Sequence, residues 1–241
     1  MKKNKIFISI ASYRDSELIP TIEHCIKNAK LPHNLVFGIS RQYHPDDKFD
    51  DLSKYKKKKN FKIIESLWNK SIGVCHARHE IQKLYDGEEF YFQLDSHHRF
   101  VKDWDTKIKK TLRDLVKKGH EKPIISSYLP SYDPDTGDKN EEKLNDVWRT
   151  YIDRFMPEGP IFIFPESIED KKAEPETARF LSGHFIFSHG HFVNNVPYDP
   201  KLYFHGEESS LAVRAFTHGY DLFHLHRPWF WHHYTRSKGA R

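Results

Sequence analysis

Glu88-Glu89-Phe90-Tyr91-Phe92-Gln93-Leu94-Asp95-Ser96-His97-His98-Arg99-Phe100 decides how the rest of the chain is read. Phe90, Tyr91, Phe92 and Leu94 form a short apolar run rich in strand-favouring aromatics, so the first half reads as a buried strand. The run then breaks into an acid, a small residue and two histidines. A carboxylate and an imidazole two residues apart, just past a buried strand, can face one divalent ion. Ligands gather at the carboxyl ends of strands in open α/β sheets, so the location suits that chemistry. A strand ending in a polar turn would leave the same letters, and the choice depends on the flanking chain.

Working outward toward the amino end, Ile6–Ala11 is a strand running into Ser12-Tyr13-Arg14-Asp15. Leu18, Ile19, Ile22, Cys25, Ile26 and Ala29 then recur at helical spacing, with Asp15 or Ser16 as the expected N-cap. Leu35–Ser40 is a second strand, which makes the opening β-α-β and predicts a parallel sheet. Phe61–Glu65 is a third, shorter strand. Gly73-Val74-Cys75-His76-Ala77-Arg78 opens a helix with Ala77, Ile81, Leu84 and Tyr85 on one face, closed by Asp86-Gly87.

Toward the carboxyl end, Trp104, Ile108, Leu112, Leu115 and Val116 predict a helix stopped by Gly119, followed by a strand at Pro123–Leu129. Pro130–Lys143, rich in Asp, Pro, Gly and Lys, reads as an exposed insertion at about 130–145. Strands are expected at 161–164, 178–181, 183–187 and 220–226, with a helix on Leu211, Ala212, Ala215 and Phe216 between the last two. No second hydrophobic core follows the insertion, so residues 1–241 are expected to form one α/β domain, a mixed, mostly parallel sheet flanked by helices.

Composition narrows the function. The 241 residues are 37% hydrophobic, enough for a sizeable core, and the 15% aromatic share predicts one built on rings. A net charge of +5 is too small for a dedicated nucleic-acid binder. Lys56–Lys59 reads as a solvated loop. The two cysteines, Cys25 and Cys75, fall in helical patterns and are expected as buried thiols in a reducing compartment. The apolar run after Lys5 is too short for a signal-peptide core, and no stretch approaches the ~20 residues needed to span a bilayer. A soluble, cytoplasmic protein is expected.

Three segments carry polar groups where a core would be apolar. Asp95–His98 offers oxygen and nitrogen ligands. Gly206-Glu207-Glu208 sets two carboxylates in the first turn of a helix, where the helix dipole alone could account for one of them. Trp231-His232-His233 sets histidines among aromatics, a setting that also suits core residues in a chain with 17 histidines. A mixed Asp/His set suits Mn²⁺ better than Mg²⁺. A cation with open positions would neutralise charge on a departing diphosphate, and Arg78 could add a planar fork to the same group. No Gly-rich phosphate cradle or Walker pattern is present.

Taken in order, Ile10–Asp15, Gly73–Arg78, Gln93–Phe100, Val196–Pro200, Phe204–Glu208 and Thr217–Asp221 resemble the GlcNAc glycosyltransferase family. Its best-known members are cytoplasmic UDP-GlcNAc:hydroxyproline polypeptide transferases, and it is similar in turn to the polypeptide GalNAc-transferases. The resemblance runs from about Ile6 to Tyr234. It implies a GT-A fold, a UDP-sugar donor (UDP-GlcNAc before others), a hydroxyl acceptor on a protein or glycan, and transfer with retention. It implies that Asp95, His97 and His232 hold the divalent ion, with His233 the alternative to His232. Ser96 would lie near the ribose, Ser12, Tyr13 and Arg14 would line the uridine pocket with Arg78 nearby, and Gly183, Glu207 and Glu208 would border sugar and acceptor. Glu207 and Glu208 are the catalytic candidates, although retention assigns neither a base role. His184 departs from the pattern, which has a second glycine there. Two rival functions remain from the residues themselves: a zinc hydrolase using His224 and His226, and a sugar-nucleotide-binding module without catalysis.

Overall fold

The computed structural model describes residues 2–135, 146–157, 159, 161–168 and 173–234. The opening folds as its pattern requires. β1 (Lys2–Tyr13) leads into α1 (Leu18–Asn28), and β2 (Leu35–Tyr43) returns parallel to β1 with Ile6 opposite Leu35. β3 (Phe61–Leu67) joins β2 in parallel, and α2 (Val74–Gln82) carries the chain to β4 (Glu88–Asp95) on the other side of β1. Then follow β5 (His98–Phe100), α3 (Trp104–Lys117), β6 (Pro123–Ile125), β7 (Val147–Phe155), β8 (Ile161–Ile168), β9 (Glu176–Thr177) and β10 (Phe185–His189). The chain continues through α4 (Phe192–Asn195), α5 (Glu207–Thr217), β11 (Asp221–His224) and β12 (Phe230–His232).

The main sheet has the order β3-β2-β1-β4-β10-β6-β11-β9. β10 is antiparallel to both neighbours and β9 to β11, while the remaining pairs are parallel. Side-chain alternation divides the core between the two faces. Ile6, Ile8, Ile10, Phe90, Phe92 and Leu94 pack with Leu18 and Ile22 of α1 and with Trp104, Ile108 and Leu112 of α3. Phe7 and Tyr91 point the other way, to Cys75 and Ile81 of α2, Phe192 of α4 and Leu211 of α5. Cys25 and Cys75 are both buried free thiols.

Phe92 shows how this core reaches the functional residues. Its ring meets Trp104 at 5.2 Å, Phe185 at 5.5 Å and Phe230 at 5.4 Å between centroids. Truncating such a ring costs about 3–5 kcal/mol. Phe230 opens β12, which pairs antiparallel with β5 so that His232 stands opposite His98. Burial of Phe230 therefore fixes the strand that ends in His232.

Several expectations need correction. Ala178–Leu181 is not a strand: β9 stops at Thr177, Ala178 gives one N–H to Leu222 O, and Leu181 is buried without a ladder. Of its apolar letters, Leu181 is explained by burial, and Ala178 and Phe180 are half-buried. The helix expected to reach Tyr85 ends at Gln82 and continues as turns, and the last main-sheet strand stops at His224. β5, β12, α4 and β7 were not expected; the expected strand at 161–164 is part of β8, which pairs with β7 outside the main sheet. Residues 136–145 of the expected insertion lie outside the described residues. Its first part is less exposed than its composition suggests: Pro130 and Tyr132 are buried. They clamp β12, with His232 N–H donating to Pro130 O and Tyr132 N–H to His232 O.

Candidate functional site

β1 is the strand from which the chain departs in opposite directions, to β2 on one side and β4 on the other. The crevice beyond their carboxyl ends is where open α/β sheets bind ligands. A cleft of about 640 Å³ lies there, with Ser12 and Tyr13 from β1 and Asp95 from β4 in its wall. Parallel register sets Ala11 beside Asp95, so Ser12 and the acid emerge at the same level.

Asp95 is the hub. Its Oδ1 accepts from Arg78 Nη2 at 2.7 Å, and its Oδ2 lies 3.3 Å from His232 Nε2 and 3.9 Å from His97 Nε2. Burial alone would push the Asp95 carboxyl up; the His232 hydrogen bond and the Arg78 charge outweigh it and hold the group well below the usual carboxylate range. Asp95, His97 and His232 each offer a ligand atom within 4.8 Å of the others, the one such group among the described residues. One carboxylate oxygen and two imidazole nitrogens suit Mn²⁺ or a similar borderline cation. His97 Nδ1 is engaged by Asp15 Oδ2 at 2.7 Å, which turns Nε2 toward Asp95. The residues present thus fit a divalent ion.

His232, not His233, belongs to this group; His233 uses its backbone N–H on His97 O, and its ring lies 5.7 Å from that of Tyr132. His98 and His184 flank the group, with ring centroids 4.9 and 4.4 Å from His232. Burial holds both imidazoles well below their ordinary pKa, hence neutral. Neutral His184 Nε2 accordingly accepts the Leu129 N–H at 3.3 Å. His224 and His226 stand apart: His224 Nδ1 meets Ser126 O at 3.2 Å, and the His226 ring packs on Trp229.

The two glutamates opening α5 behave differently. Glu207 is buried and takes Arg78 Nη1 on both oxygens, at 3.0 and 2.9 Å, with the Cys75 thiol at 3.2 Å. Glu208 faces the cleft and accepts the Gly183 N–H at 2.6 Å; burial pushes its carboxyl up to about 7. A Cβ at Gly183 would stand 2.8 Å from Glu207 Oε1 and 3.0 Å from Arg78 Nη1 and would push on the ends of two side chains paired with each other. Gly73, at the start of α2, has φ +108°, and a Cβ would lie 2.5 Å from Tyr203 O.

Arg78 lines the cleft but is buried and spent on Asp95, Glu207 and the Tyr198 hydroxyl, so it braces the site's own carboxylates. Ser12 lines the cleft with its Oγ buried and without a hydrogen-bond partner among the described residues. Arg14 turns away to Asp47, Nε to Oδ2 at 2.8 Å, and Ser96 Oγ donates to Asp15 Oδ2 at 2.5 Å; neither lines the cleft. Sequence reading passed over Trp68, Tyr203 and Phe204, which complete the wall; Tyr203 and Phe204 are 70% and 55% exposed. It also gave Asp15 only a capping role. The signal for Asp15, an acid just past the strand's end, was present but shared with every helix start.

Comparison with known proteins follows this geometry. The family model described as "Glycosyltransferase (GlcNAc)" matches residues 5–62 and 48–241. No curated protein sequence matches the chain. Among solved structures, S. aureus TarS 1-349 in complex with UDP-GlcNAc superposes with a TM-score of 0.62 at 14% identity, covering 98% of this chain and 60% of that one. GalNAc-T7 with UDP, GalNAc and Mn²⁺ gives 0.70 at 15% identity, covering 98% and 45%. The chain thus spans 45–60% of the length of these two structures. At such identities the likeness shows the fold, which is of the GT-A type.

Proposed function

This chain belongs to the glycosyltransferase (GlcNAc) family, and from that premise we propose that it transfers N-acetylglucosamine from UDP-GlcNAc to a hydroxyl acceptor on a protein or glycan, with retention. The observation that carries the reading is the Asp95–His97–His232 group opening on a 640 Å³ cleft at the turning point of the sheet. A divalent cation held by these three residues, Mn²⁺ in preference to Mg²⁺, would neutralise charge on the diphosphate as it departs.

The remaining roles belong to the chain's own side chains. Ser12 and Tyr13 border the nucleoside, and the Ser12 Oγ, without a partner among the described residues, is available to it. Arg78 holds the Asp95 and Glu207 carboxylates in place. In the reaction the sugar C1–O bond to the diphosphate breaks with its electron pair staying on the diphosphate oxygen, a C1–O bond to the acceptor oxygen forms, and the acceptor proton passes to that departing oxygen. Glu208, with its pKa near 7, is suited to accept a hydrogen bond from that hydroxyl; Glu207 is held by Arg78 and serves as its anchor. His184 fills space that a glycine would leave open, which narrows the pocket for the sugar.

The test is release of UDP from UDP-GlcNAc with Mn²⁺, in the parent and in Asp95→Ala. The variant is expected to remain folded and to lose roughly a thousand-fold in rate, the upper range for removing one electrostatic element of a site. Undiminished turnover in Asp95→Ala contradicts the reading.

A further inference from the structure

Asp15 has no assigned part in the chemistry, yet its carboxylate is buried and its hydrogen bonds converge on the metal group. Oδ1 accepts the Glu17 N–H at 2.9 Å at the start of α1. Oδ2 accepts the Ser96 hydroxyl at 2.5 Å and faces His97 Nδ1 at 2.7 Å. These contacts join the exit of β1 to the turn after β4, across 81 and 82 residues of sequence. The acid is delivered there by an unusual bend. Arg14 has φ +46°, a left-handed conformation that disfavours arginine. It is held by its N–H on Gln42 O at 2.9 Å, by Asp47, and by the Trp68 ring 5.6 Å below its guanidinium. Strained backbone held on several sides is characteristic of functional positions.

We propose that Asp15 is the positioning residue of the metal site: it fixes His97 in the Nδ1–H tautomer, so that the Nε2 lone pair faces the point shared with Asp95 and His232. Oδ1 accepts the Glu17 N–H and Oδ2 the Ser96 hydroxyl, so both oxygens act as acceptors, the imidazole atom against Oδ2 carries the proton, and the opposite nitrogen is left to ligate. The same contact raises the basicity of the ligating nitrogen and stops the ring from rotating. The Ser96 hydroxyl completes the grip on Asp15. This assignment rests on the metal reading of the site given above.

Two readouts on the full chain test it without using turnover. In histidine-labelled, metal-free protein at pH 8, nitrogen NMR is expected to find His97 protonated at Nδ1. In Asp15→Ala it should move toward the Nε2–H form that imidazoles favour in water. Mn²⁺ affinity, read from the EPR signal of free Mn²⁺, should fall 10–100-fold in Asp15→Ala, the usual cost of losing a ligand's outer partner. Asp15→Asn keeps an acceptor oxygen and should recover part of both signals; it carries the test should Asp15→Ala fail to fold. A folded Asp15→Ala with parental tautomer and parental Mn²⁺ affinity overturns the role of Asp15, and loss of Mn²⁺ by Asp95→Ala alongside it leaves the site itself standing. A parent chain that binds no Mn²⁺ overturns the metal reading, and with it the purpose given to Asp15.

Discussion

One wall of the cleft is made by the ends of β1 and β4 and by α2; the facing wall is made by the first turn of α5, the Ser182–His184 turn and β12. The first wall gets its geometry from adjacent parallel strands, whose hydrogen bonds set Ala11 beside Asp95. The second is placed by single long-range contacts: Arg78 to Glu207, Gly183 N–H to Glu208, and the clamp of Pro130 and Tyr132 on His232. Regular pairing sets the backbone of the first wall through hydrogen bonds that do not depend on the identity of any one side chain. The second is seated by buried Phe230 and Leu211 and aimed by a few polar contacts, and these contacts are the ones that adjust charge in the cleft.

The strongest way to break this contrast is Arg78→Met, which removes a buried guanidinium bonded to Asp95 on one wall and to Glu207 on the other and leaves both carboxylates without their cation. Stability is expected to fall by about 3–5 kcal/mol in urea denaturation. A loss below about 1 kcal/mol would mean that the walls are held together by packing alone.

The next largest effect separates the glutamates by pH. Glu208 titrates near 7 when folded against an ordinary 4.5 unfolded, so the folded chain holds its proton more tightly. Its contribution is fully favourable below the unfolded value and is lost as pH rises from about 4.5 to 7, by at most about 3 kcal/mol. His98 and His184, neutral when folded, oppose this trend, because unfolding lets them charge below pH 6.5. Subtracting the pH–stability curve of Glu208→Gln cancels the histidines. The parent should gain stability relative to that variant between pH 7.5 and 5; a flat difference would return Glu208 to an ordinary surface acid.

The smallest expected effect lies away from both walls. Phe155 on β7 is 69% exposed, and Phe155→Ser should change the melting temperature and UDP-GlcNAc turnover hardly at all, within about 0.5 kcal/mol. A large loss of turnover would extend the site onto the hairpin.

How much of this was legible in the sequence follows the same division. Ile6–Ala11, Leu35–Ser40 and Phe90–Leu94 are apolar runs bounded by polar turns, so the parallel half and the emergence of Asp95 could be read directly. β5 and β12 are three-residue strands whose pairing depends on Phe100 and Phe230 meeting Phe92 and Trp104, and no local pattern announces that. Ala178–Leu181 looked like a strand because burial, full at Leu181 and partial at Ala178 and Phe180, also selects apolar residues. The unequal fates of Glu207 and Glu208 were invisible for a related reason: what distinguishes them is a guanidinium 129 residues away for one and a backbone N–H 25 residues away for the other.

The central claim is that a divalent ion on Asp95, His97 and His232 joins UDP to this cleft. Isothermal titration of UDP into the parent chain, with and without Mn²⁺, tests it most directly. Binding that requires Mn²⁺ and disappears in Asp95→Ala is the expected result. UDP that binds equally well without the cation, or fails to bind in its presence, would contradict the account.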